Sequence, residues 1–536
     1  MPLLSNEQLD DALAWEFVQQ FNGGEDSFRN STNIDPNQSQ KLLNIIVRDN
    51  FEARTRPGAD AIPTAKLPPI GGGTKVYALR YFDIPPNKQQ LLASVGVGSN
   101  KHILKLESNV WTDLALPVGF PDSVDSRLAM AQGIDTMLIS DGVTQGQIWD
   151  GTNFTATGVA GNGNFPVGAR ILCWHTARMF ASGVASAPDA VYVSNLLAFS
   201  AGNWNLTTRS FRIGVGDGDP IVALASMQGS TLCCLKRNSI WLISTDPSTD
   251  QFGGVSGFSA AAVPSNIGYG VGCVGRDAWC SYGNDILFMA QDGVRSVQRM
   301  QSAAGQWQLT TPISQPIQPY IARINQAHWE KIQAIKYQEF AFFFVPLDTA
   351  TENNTVLVWN GRLGNWVGAW TGWNGTCLEV TRFNGFSRFV FGDTAGLVNQ
   401  WKDYNSLTDD ATYQDNGVDI PCQAWLRSWM FGEMISNKSG YNLTVRFTSG
   451  NAPINFSFVA DGETVRTWSG AFQPTGDILG TDDLPFLLAS NASVKLPKGL
   501  RGLAAFHEAY LKIESARGWW WLKNISASAF INPLRG

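Results

Sequence analysis

The sequence predicts an all-β protein: a β-propeller with an attached β-sandwich-like platform domain and short N-terminal helices. Three observations predict it. Charged residues occupy 16% of the 536 positions, against about 25% in an average globular chain. Gly (53) and Trp (20) are plentiful, a composition that excludes a disordered, coiled-coil or helix-dominated chain. From about residue 75 to 405, short apolar runs, Gly or Asn turns and a late Trp recur as a unit. Beyond about Asn405 that unit stops, and alternating strands take over. The chain therefore divides into 1–74 (N-terminal helices and a hairpin, part of the platform), 75–405 (propeller) and 406–536 (C-terminal sandwich, the rest of the platform).

Near the amino end, Ser5 is followed three residues later by Gln8, and Leu9, Leu13, Phe17 and Phe21 recur at helical spacing. This pattern predicts a capped amphipathic helix, covering the edge of its own domain or docking on a neighbouring subunit. Asp35 and Pro36 predict a second short helix that ends near Asn44, because Pro suits the first helical position. IIVRDNFEARTRPGAD then leads β-branched residues to a Pro57-Gly58 turn, a strand or hairpin.

The repeated unit is clearest in LLASVGVGSNKHILKLESNVW, TMLISDGVTQGQIWDGTNF and IVALASMQGSTLCCLKRNSIWLI. Trp111, Trp149, Trp204, Trp241, Trp307, Trp366 and Trp401 punctuate the segment at roughly 35 to 65 residues, the length of a four-stranded blade. About six or seven units fit. A lone four-stranded sheet buries only part of its apolar faces, whereas sheets set radially bury both against neighbours. A late Trp would fill the wide outer wedge between blades. No WD dipeptide, kelch double glycine or clean Asp box recurs.

In the C-terminal part, NLTVRFTSG and INFSFVADGETVRTW alternate as half-buried antiparallel strands do. The tail reads as two further strands about a Gly518 turn. A strand sends neighbours to opposite faces, so of Trp519, Trp520 and Trp521 at least one should lie in the core and at least one outside, the latter suited to a subunit interface.

The sequence carries little that points to chemistry. The four histidines, His102, His175, His328 and His507, have no metal-ligand spacing, and the seven cysteines form neither a CxxC pair nor a disulfide pattern. Structural free thiols in a reducing compartment are the expectation. Gly71 to Gly73, and Gly214, Gly216 and Gly218 with Asp217 and Asp219, read as turns and not as phosphate or calcium loops. We expect no catalytic residues, no metal site, no cofactor and no enzymatic activity. The first residues hold Glu7, Asp10 and Asp11 where a signal peptide needs a basic start, so export is not expected. No run approaches the roughly 20 apolar residues of a membrane span. The net charge of −6, from 39 basic and 45 acidic residues, disfavours a DNA-gripping function.

Several stretches resemble the nozzle or tail-tube proteins of short-tailed bacteriophages, a family related in architecture to the packaged-DNA stabilisation hub. The opening FNGGEDSFRNSTNIDPNQSQKLLNIIVRDNFEARTRPGA resembles the family's start, here with Gly23, Gly24, Asn44, Arg54, Arg56, Pro57 and Gly58. VGCVGRDAWCSYGNDILFMAQDGVRSV and VPLDTATENNTVLVWNGRLGNWVGAWTG resemble successive blades. DNGVDIPCQAWLRSWMFGE is similar to the segment that leaves the propeller. The likeness runs from about residue 20 to 430, through turns and core positions.

The resemblance implies a virion structural protein: a homohexameric ring below the portal and adaptor proteins, propellers outside, with tail fibres or tailspikes and a needle-type plug nearby. Double-stranded DNA would pass through its lumen without specific binding, during genome retention and ejection. Assembly in the bacterial host cytoplasm agrees with the thiols, and a lumen that is not strongly basic agrees with the charge, since a lysine- and arginine-lined wall would hold each phosphate. The alternative is a glycan-binding or glycan-processing propeller, lectin- or sialidase-like, which predicts carboxylates and arginines converging on the propeller axis.

Overall fold

Among the described residues seven antiparallel sheets follow one another between Lys75 and Trp401, each carrying one unit of the sequence repeat. The computed structural model describes residues 13–48, 52–62, 75–84, 88–97, 100–114, 127–158, 161, 163–245, 264–300, 310–406, 408–432, 436–450, 453–471, 493–494 and 505–531. Blade 1 runs from Lys75–Ile84 to Val110–Leu114, blade 2 from Ala129–Gly133 to Phe154–Ala156, and blade 3 from Ile171–His175 to Ser210–Arg212. Blade 4 runs from Ile221–Ser226 to Pro264–Tyr269. Blade 5 has three strands among the described residues, Trp279–Tyr282, Asp285–Ala290 and Gly293–Ser296. Blade 6 spans Gln333–Tyr337 to Asn365–Thr371, and blade 7 opens with Gly375–Thr381.

The ring closes with a strand borrowed from far upstream. Ala59–Ala61 pairs antiparallel with Val398–Trp401 and supplies the fourth strand of blade 7. The sequence boundary at residue 74 placed that strand with the platform; its pairing puts it in the propeller. Blade 7 meets blade 1 through Cys377, Val390 and Val398 against Val76, Leu79 and Leu91. Such closure buries the facing apolar sides of the first and last blades against each other.

The described late tryptophans pack between or beside blades. Trp149 packs between blades 1 and 2, Trp204 between blades 2 and 3, and Trp241 beside blades 3 and 4. Trp366 joins the cluster of blades 4 to 6. Trp111 is also buried, its indole N–H donating to Ile62 O at 3.0 Å. Trp401 sits with Phe340, Phe342, Trp370 and Trp373 in the largest core. Trp307 lies outside the described residues.

The platform is two packed sheets. One orders Ser493–Val494, Lys438–Ser449, Trp520–Ile531, Ala53–Thr55 and Ile45–Val47, with Leu13–Val18 also pairing along Trp520–Ile531. The other orders Gln38–Leu43, Cys422–Leu426, Ala509–Ser515, Pro453–Ala460 and Glu463–Ala471. This second sheet is continuous with blade 6, because Gln38–Leu43 meets Asn365–Thr371 at Leu43 and Ala369. Propeller and platform thus share one sheet and one core.

Both expected N-terminal helices are strands in the described residues. Leu13–Val18 pairs residue by residue with Ile525 to Phe530; residues 1–12 lie outside the description. Asp35 does initiate a turn, with Gln38 N–H donating to Asp35 O at 2.9 Å. The chain then extends as Gln38–Leu43 against Cys422–Leu426. In each case a partner strand hundreds of residues away supplies hydrogen bonds that local spacing cannot reveal. IIVRDNFEARTRPGAD, expected as a strand or hairpin leading to a Pro57-Gly58 turn, does form two antiparallel strands, Ile45–Val47 and Ala53–Thr55, but the reversal between them lies before Ala53 and not at Pro57-Gly58.

Candidate functional site

Three places combine unusual chemistry with position: the seam between propeller and platform, the outer edge of the platform, and the propeller axis. The seam is built on the turn residues of the opening segment. Arg56, fully buried, uses all five of its N–H donors. Nε donates to Asn44 Oδ1 (3.1 Å), Nη1 to Pro57 O and Asp415 Oδ1 (both 3.2 Å), and Nη2 to Thr371 O and Asp415 Oδ2 (both 2.6 Å). Its guanidinium lies 4.7 Å from the Trp373 ring centroid, and Trp373 N–H donates to Asp415 at 2.8 Å. Asn44 takes a left-handed conformation (φ 56°) and receives the N–H of Thr371 at 2.8 Å. At Gly24 (φ +70°), a side chain would run into the Trp366 carbonyl, and at Gly58 into the Gln414 carbonyl.

Beside the seam, Glu25 is buried, and Leu42 N–H donates to its Oε2 at 2.7 Å. Burial pushes its carboxyl up to about 8, against the pull of the Leu42 N–H, Ser27, Lys41 and Tyr320. It borders a cavity of about 300 Å3 that Lys41, Tyr320, Arg323 and Trp425 also line.

On the platform edge, Leu13, Trp15 and Phe17 point to the outer face of their sheet. Trp15 and Phe17 are 49% and 51% exposed and stack with ring centroids 5.8 Å apart. Their neighbours across the strand pair are Ser528 and Ser526, too short to cover them. The Trp519–Trp521 run does not furnish the exposed ring expected of it. Trp520 is in the core, Trp519 is buried against Tyr413 and Trp521, and half-buried Trp521 lies under Arg54.

At the propeller axis, the first strands of the seven blades surround a cavity of about 350 Å3. That is the size of one small ligand. Arg276 spans one end: its Nη1 donates to the carbonyl oxygens of Arg127 (3.4 Å) and Arg170 (3.3 Å), tying blade 5 to blades 2 and 3. Asp277 accepts from Arg276 Nη2 at 2.9 Å and from Gln333 of blade 6 at 3.3 Å. Burial alone would raise the Asp277 carboxyl, but Arg276, Arg127 and Gln333 outweigh it and hold it below its ordinary value. Arg80 also lines the cavity and faces Glu379 at 3.5 Å. Desolvation raises the Glu379 carboxyl despite Arg80.

The residues singled out for chemistry in the sequence are scattered. His175 is buried between blades 3 and 4, hydrogen-bonded to Ser226 Oγ (2.8 Å) and Thr245 Oγ1 (2.9 Å). His102, His328 and His507 each lie beside a different carboxylate, of Asp113, Glu330 and Asp461. Asp217 binds the Lys236 ammonium at 2.6 Å, and Asp219 accepts from Asn238 and Ser239, so both carboxylates serve the turn. Gly71 to Gly73 lie outside the described residues. All seven cysteines are buried free thiols. Among the described residues no three His, Cys, Asp or Glu side chains group as metal ligands, and no helix is long and apolar enough to cross a membrane. The axial arginines are not legible as a group in the sequence, because each precedes or occupies the first strand of a different blade and only the blade register aligns them.

No family model and no curated protein matches the chain. Solved structures similar to it include the computationally designed Ika8 protein (13% identity, 64% of this chain and 99% of that one, TM-score 0.36). BBS1N in complex with ARL6DN (10%, 64% and 96%, TM-score 0.39) and YCF48 bound to D1 peptide (11%, 68% and 99%, TM-score 0.39) are others. Likeness at this level says nothing of function. The sheet order itself defines the class, an all-β propeller fused to a two-sheet platform.

Proposed function

We propose that the chain is a structural virion protein that forms the nozzle or tube of a short phage tail. In this reading it is one subunit of a homomeric ring, a hexamer by the resemblance, around a channel that retains the genome and lets it leave. Portal and adaptor proteins lie above, tail fibres or tailspikes and a needle-type plug nearby, and the chain performs no catalysis. The observation that carries the reading is the stacked Trp15–Phe17 pair, half exposed on the edge strand of the platform. Exposed aromatics on a strand that pairs on one side only among the described residues suit burial against another subunit. The axial cavity is ligand-sized, so duplex DNA runs between subunits and not through a propeller. The net charge of −6 favours sliding over holding.

Electron microscopy of the purified chain tests this. The expected image is a closed ring with a central passage, and Trp15→Ser combined with Phe17→Ser is expected to give single subunits of unchanged thermal midpoint. A wild-type chain that stays monomeric in solution and in the particle overturns the reading.

One observation favours a second reading, a glycan-binding or glycan-processing propeller: arginines and carboxylates gather about the axis. Sugar release from, or retention on, immobilised glycans would then be found with the monomeric chain.

A further inference from the structure

The charges about the axial cavity do not balance. Arg80, Arg170 and Arg276 line it and Arg127 adjoins it, whereas the carboxylates there are Asp277 and Glu379. Three lining cations, Arg80, Arg170 and Arg276, thus face one lining carboxylate, Asp277, within a chain whose net charge is −6. A concave wall concentrates the field of such an excess, although Arg80 and Arg170 themselves reach solvent.

Hydrogen bonding divides the four arginines into two kinds. Arg276 is committed to Asp277 and to two backbone carbonyls, and Arg127 donates to Glu330 O at 3.0 Å. Arg80 and Arg170 are not committed in this way. Among the described residues Arg80 meets only Glu379, at 3.5 Å, and Arg170 makes one long bond to Gly142 O, also 3.5 Å. A guanidinium has five donors in a rigid fork suited to a carboxylate or phosphate. Both arginines therefore reach the cavity wall with donors to spare, and the half-buried Trp174 and Trp279 add flat apolar surface to the same wall.

We propose that the axial cavity binds a small ligand through its oxyanion group, carboxylate or phosphate, with Arg80 and Arg170 as the recognising cations. Arg276 and Asp277 form the fixed end against which the ligand rests. The cavity volume of about 350 Å3 limits the ligand to a single small molecule or one ring with its acidic group. The proposal rests on the axis alone and is independent of the ring assembly.

The test is calorimetric titration of the purified full chain with malonate, with inorganic phosphate and, as an uncharged control, with glucose, at constant ionic strength. Saturable one-site binding of malonate or phosphate, and none of glucose, is expected. The anion that binds more tightly tells a carboxylate ligand from a phosphate one. Arg80→Gln and Arg170→Gln should each weaken that binding about tenfold or more, as expected for a lost charge-assisted hydrogen bond. Arg323→Gln, whose guanidinium pairs with Asp348 away from the cavity, should bind as wild type. Arg170 makes so few contacts that its variant keeps the fold should the Arg80 variant lose it. Absence of saturable binding of both anions, or unchanged binding by the Arg170 variant, overturns the proposal.

Discussion

The arginine at the seam and the arginines at the axis are the same side chain in opposite conditions. Arg56 gives every donor to an acceptor and lies against two tryptophan rings. Arg80 and Arg170 line a cavity with most donors unmatched. A buried guanidinium must be fully paired, because a stranded charge in a low dielectric is costly; one beside a cavity can leave its pairing to water or a ligand. Arg56 therefore serves stability, and the axial pair is free to serve recognition.

The comparison breaks most visibly at Arg56. Arg56→Ala strands Asp415, Asn44 and the Thr371 carbonyl at once. Stability in urea should fall by about 3–5 kcal/mol, the range for breaking a buried ion pair from one side. If instead the loss were that of an ordinary surface substitution, the seam would not be the joint between propeller and platform.

Glu25, a few residues from the same seam, sharpens the comparison through pH. Its folded value of about 8 lies above the ordinary 4.5 because burial disfavours the carboxylate. Between those values the folded chain holds a proton that the unfolded chain has released, so this contribution is complete at low pH and is lost as pH rises toward 8. From pH 6 to 8 the wild type should lose roughly 2–3 kcal/mol through this group, and Glu25→Gln should remove that slope. Urea unfolding at several pH values measures it, and an equal slope in the variant would show that Glu25 is not the source.

The smallest effect is expected at the axis. Arg170→Gln should change unfolding free energy by no more than about 0.5 kcal/mol, since its exposed side chain makes one long hydrogen bond among the described residues. A loss as large as that of Arg56→Ala would make the axial arginine structural and erase the distinction.

The N-terminal segment shows where sequence reasoning fails. Leu13 and Phe17 fit a helix by their spacing of four, but Leu13, Trp15 and Phe17 fit a strand equally by their spacing of two. The pairing with Trp520–Ile531 decides between them, and no local window contains both partners. The tryptophan triplet shows the converse. Alternation predicts at least one of the three rings in the core and at least one outside; Trp520 is in the core, and Tyr413 and Arg54, brought in from other segments, lie against Trp519 and Trp521.

What the sequence determined by itself was the set of blades, since period-two patterning, turn glycines and a late tryptophan are local properties that each unit carries whole. Their number in the ring, the borrowed strand Ala59–Ala61 and the sheet shared by blade 6 and the platform were decided by tertiary structure. So was the axial cluster, because its arginines meet only when seven first strands stand side by side. Contacts between segments hundreds of residues apart depend on which edges and faces remain unpaired after local structure has formed. That is a property of the whole assembly of sheets and not of any stretch of chain.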